Sequence, residues 1–376
     1  MKFGLFSFIY YSGPEPLAGG LIAPKHYRTE QSLASLRFNF ELCEHADALG
    51  FDWVSVSEHH YSTAMTPSPI VAAAALSQRV HHADIAVLGP NLPFHNPVRL
   101  AEELAMLDNL SGGRLIVALL RGTPPEYLTY GSNPAESRPM FEEAVELMLR
   151  AWSEPEPFGW EGVHYRFRTI AVSPTLIQKP RPRILVSGNS LESLAFAARH
   201  RFDLGFSFAN PATAGKHFAI YSEKAKTYGW TPSADNVLYR HYCYIAESDA
   251  AAAEANERYG FYAGYGGRSL VAPTRPEAMP ATPKTVADAI GGIVAQSRDY
   301  GDTKNSAIDR AIPPLIGSPD TVLRRLAELR EVGNIGRVDL IFSSGRLPEE
   351  LARKSLTLFA KEVFPALQTA KPRAAE

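Results

Sequence analysis

Trp53-Val54-Ser55-Val56, then Ile85-Ala86-Val87-Leu88, then Leu115-Ile116-Val117-Ala118-Leu119-Leu120 are three apolar runs of strand length. Between them lie Ser68 to Val80, opened by a capping Ser68 and a first-turn Pro69, and Pro97 to Leu110, stopped by Ser111-Gly112-Gly113. Strands that alternate with helical stretches in this way predict βαβ units, and βαβ units predict a parallel sheet.

The rhythm extends in both directions. Phe3 to Ile9 reads as a strand and Leu33 to Leu49 as a helix with Leu33, Leu36 and Phe40 at helical spacing. After residue 120 come a helix over Glu136 to Trp152, a strand at Ile184 to Val186 and a helix over Ser190 to Arg199. Leu204 to Phe208 and Pro211 to Tyr228 repeat the pair, and Val237 to Ile245 is followed by a helix from Ser248. Thr321 to Val332, Val338 to Phe342 and Glu349 to Phe364 complete the series as helix, strand and helix. Eight strand signals in 376 residues favour a closed barrel over an open doubly wound sheet. The glycine of the first strand belongs to no G-x-G-x-x-G turn, which removes the main support for a dinucleotide fold. The predicted fold class is α/β, a (β/α)8 TIM barrel with insertions, spanning 1–376 as a single domain. Two stretches interrupt it: Pro155 to Pro182 (155–182) reads as a hairpin excursion, and Gly264 to Pro314 (264–314) as a lid insertion.

Composition sets the class of partner. Lys and Arg number 38 against 40 Asp and Glu, a net charge of -2, so no basic field attracts nucleic acid. Two cysteines, Cys43 and Cys243, are too few for a disulfide framework or a four-thiolate zinc site. No run of 18 apolar residues predicts a membrane span, and the N-terminal run is too short for a signal peptide. A soluble, cytoplasmic enzyme binding a small molecule is the expectation.

In such barrels the active site lies at the C-terminal ends of the strands. The loops there carry Ser57-Glu58-His59-His60, Gly89-Pro90-Asn91, Arg121-Gly122 and Ser187-Gly188-Asn189-Ser190. Adjacent histidines at a strand end point to opposite sides, so at most one of His59 and His60 faces the axis. That one is a candidate proton donor or acceptor, although a histidine bonded to a neighbouring helix would explain the same residue. A zinc site needs further converging ligands, and His81-His82 lies at the wrong end of its helix; no metal is expected. Asn189, Ser190 and Ser193 at a helix start, beside Arg121, suit a phosphate, although simple N-capping accounts for Ser190 alone.

These residues belong to a wider set that resembles the bacterial luciferase-like flavin monooxygenases. The set comprises Ser57-Glu58-His59-His60-Tyr61, Asn96-Pro97-Val98-Arg99-Leu100-Ala101-Glu102, and the run from Met106 to Leu115. It continues with Leu120-Arg121-Gly122, Glu161-Gly162 with His164-Tyr165, Ser190-Leu191-Glu192-Ser193, and Ile316-Gly317-Ser318-Pro319-Asp320-Thr321-Val322. The resemblance implies that His59 is the active-site histidine and that Arg121, Ser190 and Ser193 hold the phosphate of FMN. It implies that Leu88-Gly89 supports the flavin ring, through a peptide that is often cis in the family. Two departures stand out: Leu120 replaces the cysteine of the luciferases proper, and Asn189 replaces a glutamate near the phosphate.

The implied reaction uses reduced FMN, supplied by a separate flavin reductase, and O2. Through a flavin hydroperoxide, it would oxygenate a small, largely apolar organic substrate. Phe8, Tyr10, Tyr61 and Phe94 are candidates to line the substrate cavity, with Phe6 and Tyr11 behind them; core packing is the competing account. A homodimer is expected, as is common in the family. The alternatives are a deazaflavin-dependent oxidoreductase transferring hydride, a non-catalytic flavin-binding homologue, and a metal-dependent barrel hydrolase.

Overall fold

The computed structural model describes residues 1–13, 27–60, 64–122, 126–127, 130–259, 315–343 and 345–368. The stretch 264–314 expected as a lid and the expected lining residue Tyr61 lie outside these.

Eight strands close into a parallel barrel: β1 (Lys2–Phe6), β2 (Trp53–Val56), β3 (Asp84–Asn91), β4 (Leu115–Leu120), β7 (Arg183–Ser187), β8 (Asp203–Ser207), β9 (Val237–Ile245) and β11 (Arg337–Ile341). Each pairs in that order with the next, β8 pairs with β9, and β11 returns to β1, so the ring has no open edge. Their buried runs of Val, Ile and Leu suit strands covered on both faces. Helices α1 (Thr29–Ala48), α2 (Pro69–Ser77), α3 (Pro97–Leu110), α4 (Ser137–Ser153), α5 (Leu191–His200), α6 (Pro211–Thr227), α7 (Asp249–Tyr259), α8 (Pro319–Gly333) and α9 (Glu349–Leu358) follow strands. Their apolar faces and the outer faces of the strands form the main core.

The excursion at 155–182 contains an antiparallel hairpin, β5 (Phe158–Glu161) and β6 (Arg166–Ile170). Glu143 of α4 holds its tip: the carboxylate accepts from the backbone N–H groups of Val163, His164 and Tyr165 and from Trp160 Nε1.

Three of the differences from the sequence reading matter most to the fold. The first strand ends at Phe6, and Ile9 adopts φ 49°, a costly conformation for a β-branched residue, as the chain turns at the barrel mouth. A short strand β10 (Leu315–Gly317) pairs with Cys243–Ile245; a strand of three residues is too short to show periodicity. The last helix is interrupted after Leu358 by a π turn over Phe359–Val363.

The barrel interior is a second core that includes Phe6, Phe8, Trp53, Leu88, Leu185 and Tyr242. Gly4 makes room for it, since a Cβ there would lie 1.9 Å from Trp53 Nε1. At its centre the fully buried Asp339 accepts from Trp53 Nε1 (2.9 Å), Ser55 Oγ (2.8 Å) and Arg240 Nε (3.1 Å). Three donors, one cationic, answer the cost of burying that carboxylate. At the opposite, N-terminal end Arg183, Asp203, Asp235, Arg337 and Lys2 form a continuous ion-pair network.

Candidate active site

His59 follows β2 and turns inward. Its ring lies 5.2 Å from that of Phe8, in the barrel-interior core, while His60 turns the other way. The strand-end alternation therefore separates the two imidazoles. The His59 ring is surrounded by protein yet keeps some accessible surface. Burial pushes its pKa down to about 3, with Arg240 and His60 adding repulsion and Glu58 opposing. His59 is thus a neutral imidazole at neutral pH, able to donate from one nitrogen and accept at the other.

Around it the wall is aromatic. Phe8 stacks towards Tyr10 at 4.8 Å, Tyr10 Oη lies 3.3 Å from Tyr242 Oη, and Phe208 stacks on Tyr242 at 5.3 Å. Arg240 lies 3.4 Å from the Phe6 ring centroid, an arrangement that keeps a cation beside this apolar wall. Phe8 and Tyr10 are therefore placed with His59. Phe94 is not: it packs on the segment after β4, 5.0 Å from Tyr127 and 5.3 Å from Tyr130.

Leu88 is a buried member of the interior core, and Gly89 follows it with φ 130°, where the β3–β4 register shifts. A side chain at 89 would also crowd Leu120, because a Cβ there would lie 2.9 Å from Leu120 Cδ1. The cis bond expected at Leu88–Gly89 is not found: the cis peptides among the described residues are Ser173–Pro174 and Lys179–Pro180. Glycine's freedom at positive φ produces the turn instead.

The residues expected to hold an anion lie around the N-terminus of α5. Ser190 caps the helix, its Oγ accepting from Ser193 N at 3.2 Å and lying 3.1 Å from Ser193 Oγ. Arg138 in the first turn of α4 donates to Ser190 Oγ at 3.1 Å and to Ser193 Oγ at 3.4 Å. Arg121 donates to Ser137 Oγ at 3.4 Å, so both guanidinium groups converge on neighbouring hydroxyls. His217 Nδ1 donates to the Gly188 carbonyl at 2.7 Å and steadies the preceding turn, while Asn189 is exposed. Two cations, two hydroxyls and a helix N-terminus make a donor set that fits a phosphate dianion.

The sequence reading missed Arg138, because Ser137-Arg138-Pro139 opens a helix far along the chain from the serines; a cation in the first turn of a helix, where acids are usual, was the one local signal. It also missed Glu58, His60 and His95 as a unit. Glu58 is buried and its carboxylate accepts from His60 Nε2 at 2.9 Å and from His95 Nε2 at 2.8 Å. Among the described residues no group of His, Cys, Asp and Glu is arranged to hold a metal ion. No helix among them is long and apolar enough to cross a membrane.

The description luciferase-like monooxygenase belongs to a family model that matches residues 1–334. The oxygenase component of flavin-dependent trigonelline monooxygenase from Acinetobacter baylyi is 24% identical over 283 residues, covering 70% of this chain and 77% of that one. For some curated relatives the match spans less than half of their length. The crystal structure of the monooxygenase RslO1 from Streptomyces bottropensis superposes with a TM-score of 0.74 at 27% identity, covering 98% of this chain and all (100%) of that one. An F420-dependent secondary alcohol dehydrogenase, 17% identical, shares the fold with a TM-score of 0.67 over 97% of this chain and 98% of its own.

Proposed function

The chain belongs to the luciferase-like monooxygenase family, and from that premise we propose that it is a flavin-dependent monooxygenase using reduced FMN and O2 on a small, largely apolar organic substrate. The observation that carries this reading is the convergence of Arg121 and Arg138 on Ser137, Ser190 and Ser193, at the same end of the barrel as a neutral His59 set among aromatic rings. Bound reduced flavin supplies two electrons to O2, one oxygen atom going to the substrate and the other leaving as water.

The protein's own groups have separable tasks. Arg121, Arg138, Ser190 and Ser193 hold the phosphate, with Asn189 at its solvent side. Leu88 and Gly89 present a close backbone approach for the ring. His59, neutral, offers a hydrogen bond that can run in either direction without a charge to solvate. Phe8 and Tyr10 exclude water from the reacting centre.

A separate flavin reductase supplies the cofactor, in the cytoplasm. A homodimer is the proposed assembly. Sedimentation of the wild type tests that assembly; a monomer mass would refute it.

The test of function is an anaerobic titration with reduced FMN followed by mixing with air. The expected result is saturable binding, and re-oxidation of the bound flavin at a rate different from free reduced FMN, with oxygen uptake. Tight binding of reduced deazaflavin, with hydride transfer to a carbonyl and no oxygen uptake, would replace this reading by the oxidoreductase one. Flavin binding with neither activity would make the protein a non-catalytic homologue.

A further inference from the structure

We propose that Glu58, with His60 and His95, is a positioning clasp that fastens the loops after β2, β3 and β4 to one another and so aims His59 at the barrel axis. The inference rests on the reading of His59 as the group beside the reacting flavin.

One carboxylate joins the first two loops directly and the third through His60. Glu58 Oε1 accepts from His60 Nε2 at 2.9 Å, within its own loop. Oε2 accepts from His95 Nε2 at 2.8 Å and from the backbone N–H of Asn91 at 3.1 Å, both beyond the register shift that begins at Leu88. His60 Nδ1 lies 3.1 Å from Tyr130 Oη, on the segment after β4, and the two rings meet edge to face at 5.1 Å. Tyr130 in turn stacks on Phe94 at 5.3 Å, which returns the contact to the β3 loop.

The direction of the bonds to Glu58 follows from charge. Burial alone would raise the Glu58 pKa, but the bonds from His60 and His95 overcome it and hold the carboxyl at about 2. An ionised carboxylate only accepts, so both imidazoles present Nε2–H. His60 Nδ1 meets the Tyr130 hydroxyl, which can donate to it or accept from it. The chain of bonds runs from a half-exposed phenol to a buried carboxylate without a mismatched pair.

Alternation along the strand end ties this to His59. Glu58 and His60 point to one side and His59 to the other, so fixing its two neighbours fixes the direction of the residue between them. The carbonyl of Thr66, which accepts from His59 N at 3.0 Å, adds a backbone restraint. A buried charged cluster is a weak device for stability, since apolar side chains of the same volume often do better. It is a strong device for direction, because each bond has one geometry.

The test uses the full-length protein and its His95→Leu, His95→Gln and Glu58→Gln variants. Nitrogen-15 spectra of the imidazoles should show Nε2 of His60 and of His95 protonated in the wild type, and Glu58→Gln should change at least one of them. His95→Leu should lower kcat with reduced FMN and O2 by about tenfold to a hundredfold, the scale of a small misplacement of a reacting group, while reduced-FMN affinity changes little. His95→Gln keeps an N–H donor and should recover most of that loss. Nδ1–H tautomers at both histidines, or equal kcat in wild type and His95→Leu, would overturn the clasp. A wild type that takes up no oxygen would instead refute the monooxygenase reading, and the tautomers would still judge the clasp by themselves.

Discussion

Both ends of the barrel carry buried or half-buried charge, but they complete it differently. At the N-terminal end arginine meets carboxylate: Arg183 pairs with Asp203 and Asp235, Arg337 reaches Asp203 at 3.4 Å, and Lys2 reaches Asp235 at 3.2 Å. Asn236 Nδ2 adds a bond to Asp203 at 2.7 Å. At the C-terminal end Arg138 turns towards the hydroxyls of Ser190 and Ser193, although its other nitrogen also meets Glu142 at 3.4 Å. The first network is closed on itself and serves cohesion. The second presents cations to neutral oxygens, an arrangement that a bound dianion would complete.

That contrast can be broken from either side. The largest effect is expected at the mouth: His59→Ala should lower turnover by about 10²–10⁴-fold with flavin affinity retained, as read by steady-state kinetics beside a reduced-FMN titration. A fall in affinity instead would make His59 a binding residue. At the other end Asp203→Ala leaves Arg183 and Arg337 without their shared carboxylate and should cost about 3–5 kcal/mol in urea unfolding, without altering flavin affinity.

Acid sharpens the comparison next. The folded pKa of Glu58, about 2, lies below its ordinary value of 4.5, so its contribution is complete above pH 4.5 and is lost as the pH falls towards 2. The contribution is on the order of 3 kcal/mol, and Glu58→Gln should flatten the stability profile over that window; parallel profiles would count against it. The neutral His59 acts over a higher window. Its pKa is depressed from 6.5 to about 3, so stability falls with it from pH 6.5 downwards as the unfolded chain takes up the proton first. The smallest effect is expected of Arg138→Ala, about 1.5–3 kcal/mol in FMN binding, or roughly tenfold to a hundredfold, with riboflavin affinity unchanged. Equal losses for FMN and riboflavin would refute the phosphate assignment; Arg121→Ala should behave in the same direction.

Much of the fold was legible because barrel strands are short apolar runs bounded by clear stops. Trp53–Val56, Leu115–Leu120 and Val237–Ile245 begin and end where their composition changes. The turn at Ile9 was not legible, because an isoleucine in an apolar run argues for strand continuation and only tertiary contacts enforce φ 49°. The site divides in the same manner. His59, Arg121, Ser190 and Ser193 stand at strand ends and helix starts, where position alone gives them a meaning. Arg138 and His95 acquire theirs from partners 52 and 37 residues away, and no local pattern encodes such a pairing.

The barrel interior has one more consequence. Trp53, Ser55, Asp339 and Arg240 bind one another across its centre, and Arg337 covers the Trp53 ring from the side of the ion-pair network at 4.7 Å. Together they act as a stopper among the described residues, closing the interior on its N-terminal side. Whatever lodges deepest must enter first and depart last, so a flavin lying across the doorway would impose a queue on smaller molecules beneath it. Product-inhibition patterns would reveal that order of traffic, and a random order would show that the stopper leaks.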